Sequence, residues 1–304
     1  MMSQFQKNLV LLATIFMVTA GSSIADEYSF EYQRIIEIDK PVTLTMDVMR
    51  SNVTVVGGED TRLIIEATKR IRGTSYAEAE DVAAHVEIKV DKSSKDVKVS
   101  TNYLRILDRK DSFWRRLLGA SDESYGSVDF RVTLPLGCSI AITGIDANIN
   151  LSSIEGSVSV DNTSGTLKGS FLFGAVTVQQ PTGKILLDGV EGDVRIKSNS
   201  ATIDVQQYRG ALDVETLSGD VTVRTELASM KEFLVETTTG QIALYVPESS
   251  SGSFDIETSS GEITARIPLE IRKVSRGRLE GDFGDGGAKI TLQSFSGDVF
   301  IANF

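Results

Sequence analysis

The side chains with the most capacity for chemistry are carboxylates that follow a recurring glycine. Ser218-Gly219-Asp220-Val221, Ser260-Gly261-Glu262-Ile263 and Ser296-Gly297-Asp298-Val299 each set an acid between a glycine and an apolar residue, and Gly192-Asp193-Val194 does the same. Asp204, Asp213 and Asp255 lie further along such units. Paired carboxylates are the acid and base of enzymes that cleave polysaccharides. A long outward row could equally bind a glycan, and scattered acids on a solvated face are the commonest state of such side chains.

Nucleophilic chemistry has little to work with. His85 is the only histidine and Cys138 the only cysteine, so a Ser-His-Asp or Cys-His constellation would need His85 brought to a placed nucleophile. A zinc site of several His or Cys ligands fails by count. Nine-residue calcium repeats need several glycines and a loop Asp in each unit, which this chain lacks. Only Asp282 to Asp285 gathers an oxygen-rich loop. No catalytic residue, cofactor or metal is expected.

One group stands apart. In 104–126, Arg105, Arg109, Lys110, Arg115 and Arg116 surround Phe113, Trp114, Leu117 and Leu118. This insertion is either a short helix covering apolar surface of its own protein or a projecting element that contacts a partner or a lipid headgroup region. The candidate binding residues are Phe113, Trp114, Arg115 and Arg116 here, and Asp220, Glu262 and Asp298 on the repeat.

The whole chain limits what these residues can meet. It has 304 residues and a formal net charge of −11. Lys7, the apolar run Leu9 to Ala20 and then Ser23-Ile24-Ala25 read as a secretory signal segment, cleaved after Ala25. The run is too short for a good membrane span, and no later segment nears the ~18 apolar residues a spanning helix needs. Removing 1–25 takes away one basic residue and no acid, so the mature charge is 30 − 42 = −12. That argues against nucleic acid and against general attraction to anionic membranes. One cysteine allows no internal disulfide, and none stands directly after the cleavage site to take a lipid anchor. The expected location is periplasmic or extracellular, at the cell surface.

The elements that must position these residues are short strands. Residues 31–38, 42–49, 52–56 and 63–68 alternate apolar and polar, with Gly57-Gly58 as a turn. Ser75 and Glu78 make a capping box for a helix with Ala79, Val82, Ala83 and Val86 on one face. Strands near 86–90, 97–101 and 128–134 follow. From 138 a nine-residue unit takes over, with Gly or Ala at 147, 156, 165, 174, 183, 192, 201, 210 and 219. With further units starting at 138, 231, 240, 252, 261, 288 and 297 there are sixteen; two places after the start all sixteen carry Ile, Val, Leu or Phe, and four places after, fourteen carry Ile, Val or Leu, with Gly169 and Ala265 the exceptions. Each unit is thus a half-buried strand with those two residues inward.

The turns alternate in kind. Ile154, Leu172, Val190 and Tyr208, eighteen apart, mark apolar turns, while Asn162-Thr163-Ser164, Gln180-Pro181-Thr182 and Ser198-Asn199-Ser200 are polar. The polar kind recurs at Gly219, Gly240, Gly261 and Gly297, in steps of 21, 21 and 36, the last equal to two eighteens. This predicts an all-β, single-stranded β-solenoid with 18–21-residue rungs of two strands, about eight rungs from 147 onward, and the 75–86 helix as cap. The Arg- and Gly-rich segment 266–287 reads as an irregular rung or lateral loop. A transmembrane barrel, whose strands need about 9–11 residues, fails on length.

Ser218-Gly219-Asp220-Val221-Thr222-Val223, Ser260-Gly261-Glu262-Ile263-Thr264-Ala265 and Ser296-Gly297-Asp298-Val299-Phe300-Ile301 form one motif. It is preceded by Phe130-Arg131-Val132-Thr133-Leu134-Pro135 and by Glu66-Ala67-Thr68-Lys69-Arg70 with its helix. Together they resemble the bacterial beta-strand-repeat family of putative adhesins, which is similar to the head-domain putative autotransporter adhesins. The resemblance covers roughly residues 35–304 and implies one exported or envelope-associated β-solenoid with no assigned biochemistry. The expected organisation is a signal segment at 1–25, N-terminal strands and capping helix at 26–103, the insertion at 104–126, and the regular solenoid at 127–304. The expected function is non-enzymatic: an adhesin-like binding surface or scaffold in the bacterial envelope, with an envelope protein or a glycan as partner. The alternatives are a carbohydrate-active solenoid enzyme using outward carboxylates and a self-assembling envelope polymer.

Overall fold

The computed structural model describes residues 26–102, 126–285 and 287–304. The expected signal segment and the candidates Phe113, Trp114, Arg115 and Arg116 lie outside the described residues. Strands β1 (Asp26–Glu37), β2 (Thr43–Met49), β3 (Asn52–Gly58) and β4 (Arg62–Gly73) precede helix α1 (Tyr76–His85). Strands β5 (Glu87–Lys92), β6 (Asp96–Asn102) and β7 (Ser127–Pro135) follow it. The chain then alternates between two sheets through β8 (Ser139–Ile145), β9 (Asn148–Ile154), β10 (Val158–Asn162), β11 (Thr166–Leu172), β12 (Val176–Gln179), β13 (Thr182–Glu191), β14 (Val194–Lys197), β15 (Ser200–Arg209), β16 (Leu212–Ser218) and β17 (Val221–Thr225). Even-numbered strands here stack parallel in one sheet and odd-numbered strands in the other, with partners eighteen apart, as in Val158↔Val176 and Ile185↔Ile203. This is the two-strand rung that the alternating turns predict.

Inward residues form aliphatic columns: Ile149, Val158, Val176, Ile203 and Val223 are at most 2 % exposed. No rung buries its own face, so each column is completed by the rungs beside it, roughly 4.8 Å away. At the corners the rungs crowd together. A Cβ on Gly174 would lie 2.6 Å from the Gly156 carbonyl oxygen, so close approach alone demands glycine there. Gly165 combines the same crowding with left-handed backbone, φ +113°.

Tyr208 departs from its expected column. Gly189, with φ 75°, is an extra residue that shifts β13 against β15, so Val190 pairs with Gln207. Gln207 takes the inward place and donates through Nε2 to the carbonyls of Gly192 (2.7 Å) and Ala211 (3.0 Å), while Tyr208 faces solvent.

Chain order and spatial order part company at the C-terminal end. β18 (Glu232–Thr239) and β19 (Ile242–Val246) form the next rung, and β20 (Gly252–Thr258) and β21 (Ile263–Arg266) the following one in sequence. β22 (Glu270–Ser275) and β23 (Arg278–Phe283) make a hairpin antiparallel to β20, before β24 (Ala288–Ser296) and β25 (Val299–Asn303). β24 lies between β18 and β20, and β25 between β19 and β21. The 36-residue step from Gly261 to Gly297 therefore does not advance two rungs; it goes back one. The hairpin within 266–287 extends the even sheet instead of looping aside.

The N-terminal end uses the same device. β2 and β3 pair with β8 and β9, and the later β6 and β7 pair with them from outside. Among the described residues, ten two-strand rungs result, eight from Ser139 onward and two before it, spanning about 43 Å. Antiparallel strands close this end, β5 on β6 and then β4 and β1 on β7. Helix α1 packs on β4 and β1, with Tyr76 5.8 Å from Tyr28 and 5.7 Å from Phe30 between ring centroids. It is a cap, and the antiparallel strands share that task. Only half of the predicted capping box forms: Ser75 Oγ accepts from Glu78 N at 3.3 Å, but the Glu78 carboxylate accepts from Thr74 N at 2.9 Å. Gly57 and Gly58, predicted as a turn, end β3, where a Cβ on Gly57 would strike the Ser153 carbonyl oxygen.

Candidate functional site

Asp220, Asp298 and Glu262 line one corner column of the odd sheet over four rungs, with Gln241 between the first two, and two of them join rungs. Asp220 Oδ1 accepts from Gln241 N at 3.0 Å, and Asp298 Oδ1 from Glu262 N at 2.9 Å. At the other corner Asp193 accepts from Ala211 N at 2.8 Å and from Lys231 Nζ at 3.2 Å. The Ala211 bond first, then Lys231, holds the Asp193 carboxyl below the usual carboxylate range. Where one rung passes the next, a backbone N–H needs an acceptor, and the side chain after the repeat glycine supplies it. The outward acids are paired across rungs too: Asp204 with Arg224 (2.8 Å), Asp213 with Arg195 (2.9 Å) and Asp255 with Arg278 (2.7 Å).

The remaining sequence candidates stand in structural contacts. His85 Nδ1 lies 2.6 Å from the Asp81 carbonyl oxygen in α1. Cys138 is buried, and its Sγ accepts from Val42 N at 3.4 Å. Asp282 meets Arg272 at 3.3 Å. Among the described residues no group of three His, Cys, Asp or Glu side chains could hold a metal ion.

The polar-turn corner holds a feature that sequence reasoning missed. Asn162, Gln180, Ser198, Thr216, Thr237 and Ser294 form one inward column, each at most 8 % exposed. They satisfy the turn backbone: Asn162 Nδ2 donates to the carbonyls of Ala147 (3.0 Å) and Ser164 (2.6 Å), and Gln180 Nε2 to that of Gly165 (3.1 Å). Thr237 Oγ1 is different, being buried with no partner among the described residues. The signal was available, since the third residue before the corner Gly (Ala201 in one turn) is Asn, Gln, Ser or Thr at each of these turns.

Outside this column a trough of about 740 Å³ runs across seven rungs, from Asp161 to Glu257. At ~4.8 Å per rung it is about 29 Å long. One wall is a single register column of the even sheet: Asp161, Gln179, Lys197, Glu215, Glu236, Gln293 and Glu257. Lys197 Nζ lies 2.9 Å from Glu215, and Arg278 3.9 Å from Glu257. The other wall is the turns, including Pro181, Asn199, Leu217, Thr238 and Phe295. Leu217 and Phe295 are 59 % and 65 % exposed, in turns otherwise built from small polar residues and Pro. The reversed rung order puts them two rungs apart, ~10 Å, with Thr238 between.

Stacked two-strand rungs and glycine corners cover almost the whole described chain, and a family model described as Toastrack DUF4097 matches residues 29–302. The chain belongs to the Toastrack DUF4097 family. Membership bears out the resemblance to the adhesin-like repeat proteins and the β-solenoid class expected for them. Solved structures similar to this Toastrack chain include a putative adhesin from Bacteroides fragilis, 11% identical, covering 90% of this chain and 97% of that one with a TM-score of 0.32. Another is a putative cell adhesion protein from Clostridium sporogenes, 11% identical, covering 90% and 99% with a TM-score of 0.28. A third is a putative lipid binding protein from Parabacteroides distasonis, 14% identical, covering 88% and 96% with a TM-score of 0.26. At these identities and TM-scores the likenesses say nothing about what this chain binds. No curated protein matches the chain. Among the described residues no helix is long and apolar enough to cross a membrane.

Proposed function

We propose that this Toastrack chain is an exported, non-enzymatic binding surface or scaffold in the bacterial envelope, with the trough beside the polar turns as its contact site. The observation that carries the reading is the exposure of Leu217 and Phe295 in turns where polar residues suffice, facing a wall of carboxylates and amides. The segment around Phe113, Trp114, Arg115 and Arg116 is a second contact element, and the corner at Asp220, Glu262 and Asp298 a rim for larger partners. Export through the signal segment 1–25 belongs to the same reading. The geometry favours binding over hydrolysis. An acid and a base must flank a glycosidic bond from two sides, whereas Asp161, Glu215, Glu236 and Glu257 stand in one column on one wall.

Co-sedimentation tests it. Residues 26–304 should pellet with washed bacterial envelope sheets. The double variant Leu217→Ser/Phe295→Ser should stay in solution, with a melting temperature within about 2 °C of the parent. Equal pelleting of both would remove the trough as contact site. Phe113→Ser/Trp114→Ser should also weaken pelleting at nearly unchanged stability; a large fall in melting temperature would make those residues core.

A further inference from the structure

We infer that the trough takes a glycan strand laid along the solenoid axis, neutral or amino-bearing and not anionic; this rests on the trough being the contact site. Every even-sheet strand beneath the trough, from β10 to β20, is hydrogen-bonded on both edges. An extended polypeptide that binds a sheet by strand addition needs a free edge. Laid across these strands it would leave its own backbone donors and acceptors to be matched by side chains alone. A sugar chain presents rotatable hydroxyls that side-chain acceptors can meet directly.

The wall chemistry fits hydroxyl donors. Asp161, Glu215, Glu236 and Glu257 present carboxylate oxygens and Gln179 and Gln293 amide oxygens, with Lys197 as the one cation in the row. Rotatable sugar hydroxyls can donate to such a row, and an anionic polymer would be repelled. The opposite wall offers Leu217 and the Phe295 ring for the apolar C–H face of a pyranose. Thr237 lies at the base of the trough, 6 % exposed as a residue, and its buried hydroxyl has no partner among the described residues. The step of ~4.8 Å between rungs is close to the length of one sugar in a β-1,4-linked chain, so each rung would meet one residue of the polymer.

Calorimetric titration of residues 26–304 decides it, with four probes: the β-1,4-linked N-acetylglucosamine hexamer, its de-N-acetylated cationic form, a galacturonate hexamer and hexalysine. Both glucosamine hexamers should bind and the galacturonate should not. Phe295→Ser should weaken binding about tenfold or more. Glu236→Gln should weaken the cationic hexamer more than the neutral one without lowering the melting temperature. Absence of binding by both sugars, binding indifferent to Phe295→Ser, or binding of hexalysine alone would overturn the glycan assignment. If Leu217→Ser/Phe295→Ser abolishes envelope pelleting while no sugar binds, only the ligand class fails. If that variant pellets like the parent, the contact-site reading fails as well.

Discussion

Asn162 carries more of the corner than its place in a polar turn suggests. It is fully buried, donates to the Ala147 and Ser164 carbonyls and accepts from Ala147 N at 3.3 Å. Asn162→Ala would strand those groups away from water and should cost about 2–4 kcal/mol in denaturant unfolding. Thr237→Val is the converse: it removes a buried hydroxyl with no partner and keeps the shape, so stability should hold or rise by up to about 1 kcal/mol. Asp193 sets a pH dependence. Its folded pKa lies below its unfolded one, so its contribution is present above the unfolded value and is lost as pH falls through the folded value. The side chain is 61 % exposed and its Lys231 bridge is screened by salt, so the effect should be about 0.5 kcal/mol or less. Melting curves of the parent and Asp193→Asn should differ near neutrality and converge in acid, once the pH has fallen below the folded value.

At the scale of elements, the last rung is the informative one. β24 and β25 are terminal in sequence but interior in space, pairing on both sides. Stopping the chain at Gly287 should therefore not trim one rung and leave the rest intact, as it would in a coil stacked in chain order. It should detach β20 to β23 from the body. Trypsin should then cut at Arg266, Arg272 and Lys273 under conditions where the full chain resists, and the melt should lose its sharpness. Equal resistance in both would contradict the reversed order. The strands, the helix and the inward columns were legible from alternation and from the nine-residue step. The reversal was not, because a step of 36 is arithmetically two rungs forward and physically one rung back.

For the molecule as a whole, the open edges decide whether it stacks. Among the described residues, sheet edges lie at β1 and β21 in one sheet and at β5 and β22 in the other. β22 is exposed throughout, with Ile271 56 % and Val274 66 % accessible, a liability in a strand without an outer neighbour. Arg272 and Lys273 sit between those two residues and are held by Asp282 (3.3 Å) and Glu280 (3.5 Å) within the sheet's own hairpin. Charges in this place oppose edge-to-edge association. Residues 26–304 should sediment as a monomer across concentration, and Arg272→Val/Lys273→Val should associate. Stacking by the parent itself would favour the polymer alternative.

The candidate site divides along the same line. The repeat acids were visible in the sequence, and their use as acceptors for the next rung's N–H was not, since that bond exists only between stacked rungs. Leu217 and Phe295 were equally visible, but 78 residues apart in the chain they gave no sign of flanking one trough. By itself the sequence determined the rung: two strands, two kinds of turn, inward aliphatics and a glycine at each corner. Those features are local and one-dimensional, so periodicity exposes them. Only the tertiary structure decided which rung lies beside which. The inward columns are nearly interchangeable from rung to rung, so strand pattern cannot choose the neighbour; the hairpin β22–β23 and the lengths of the connections do.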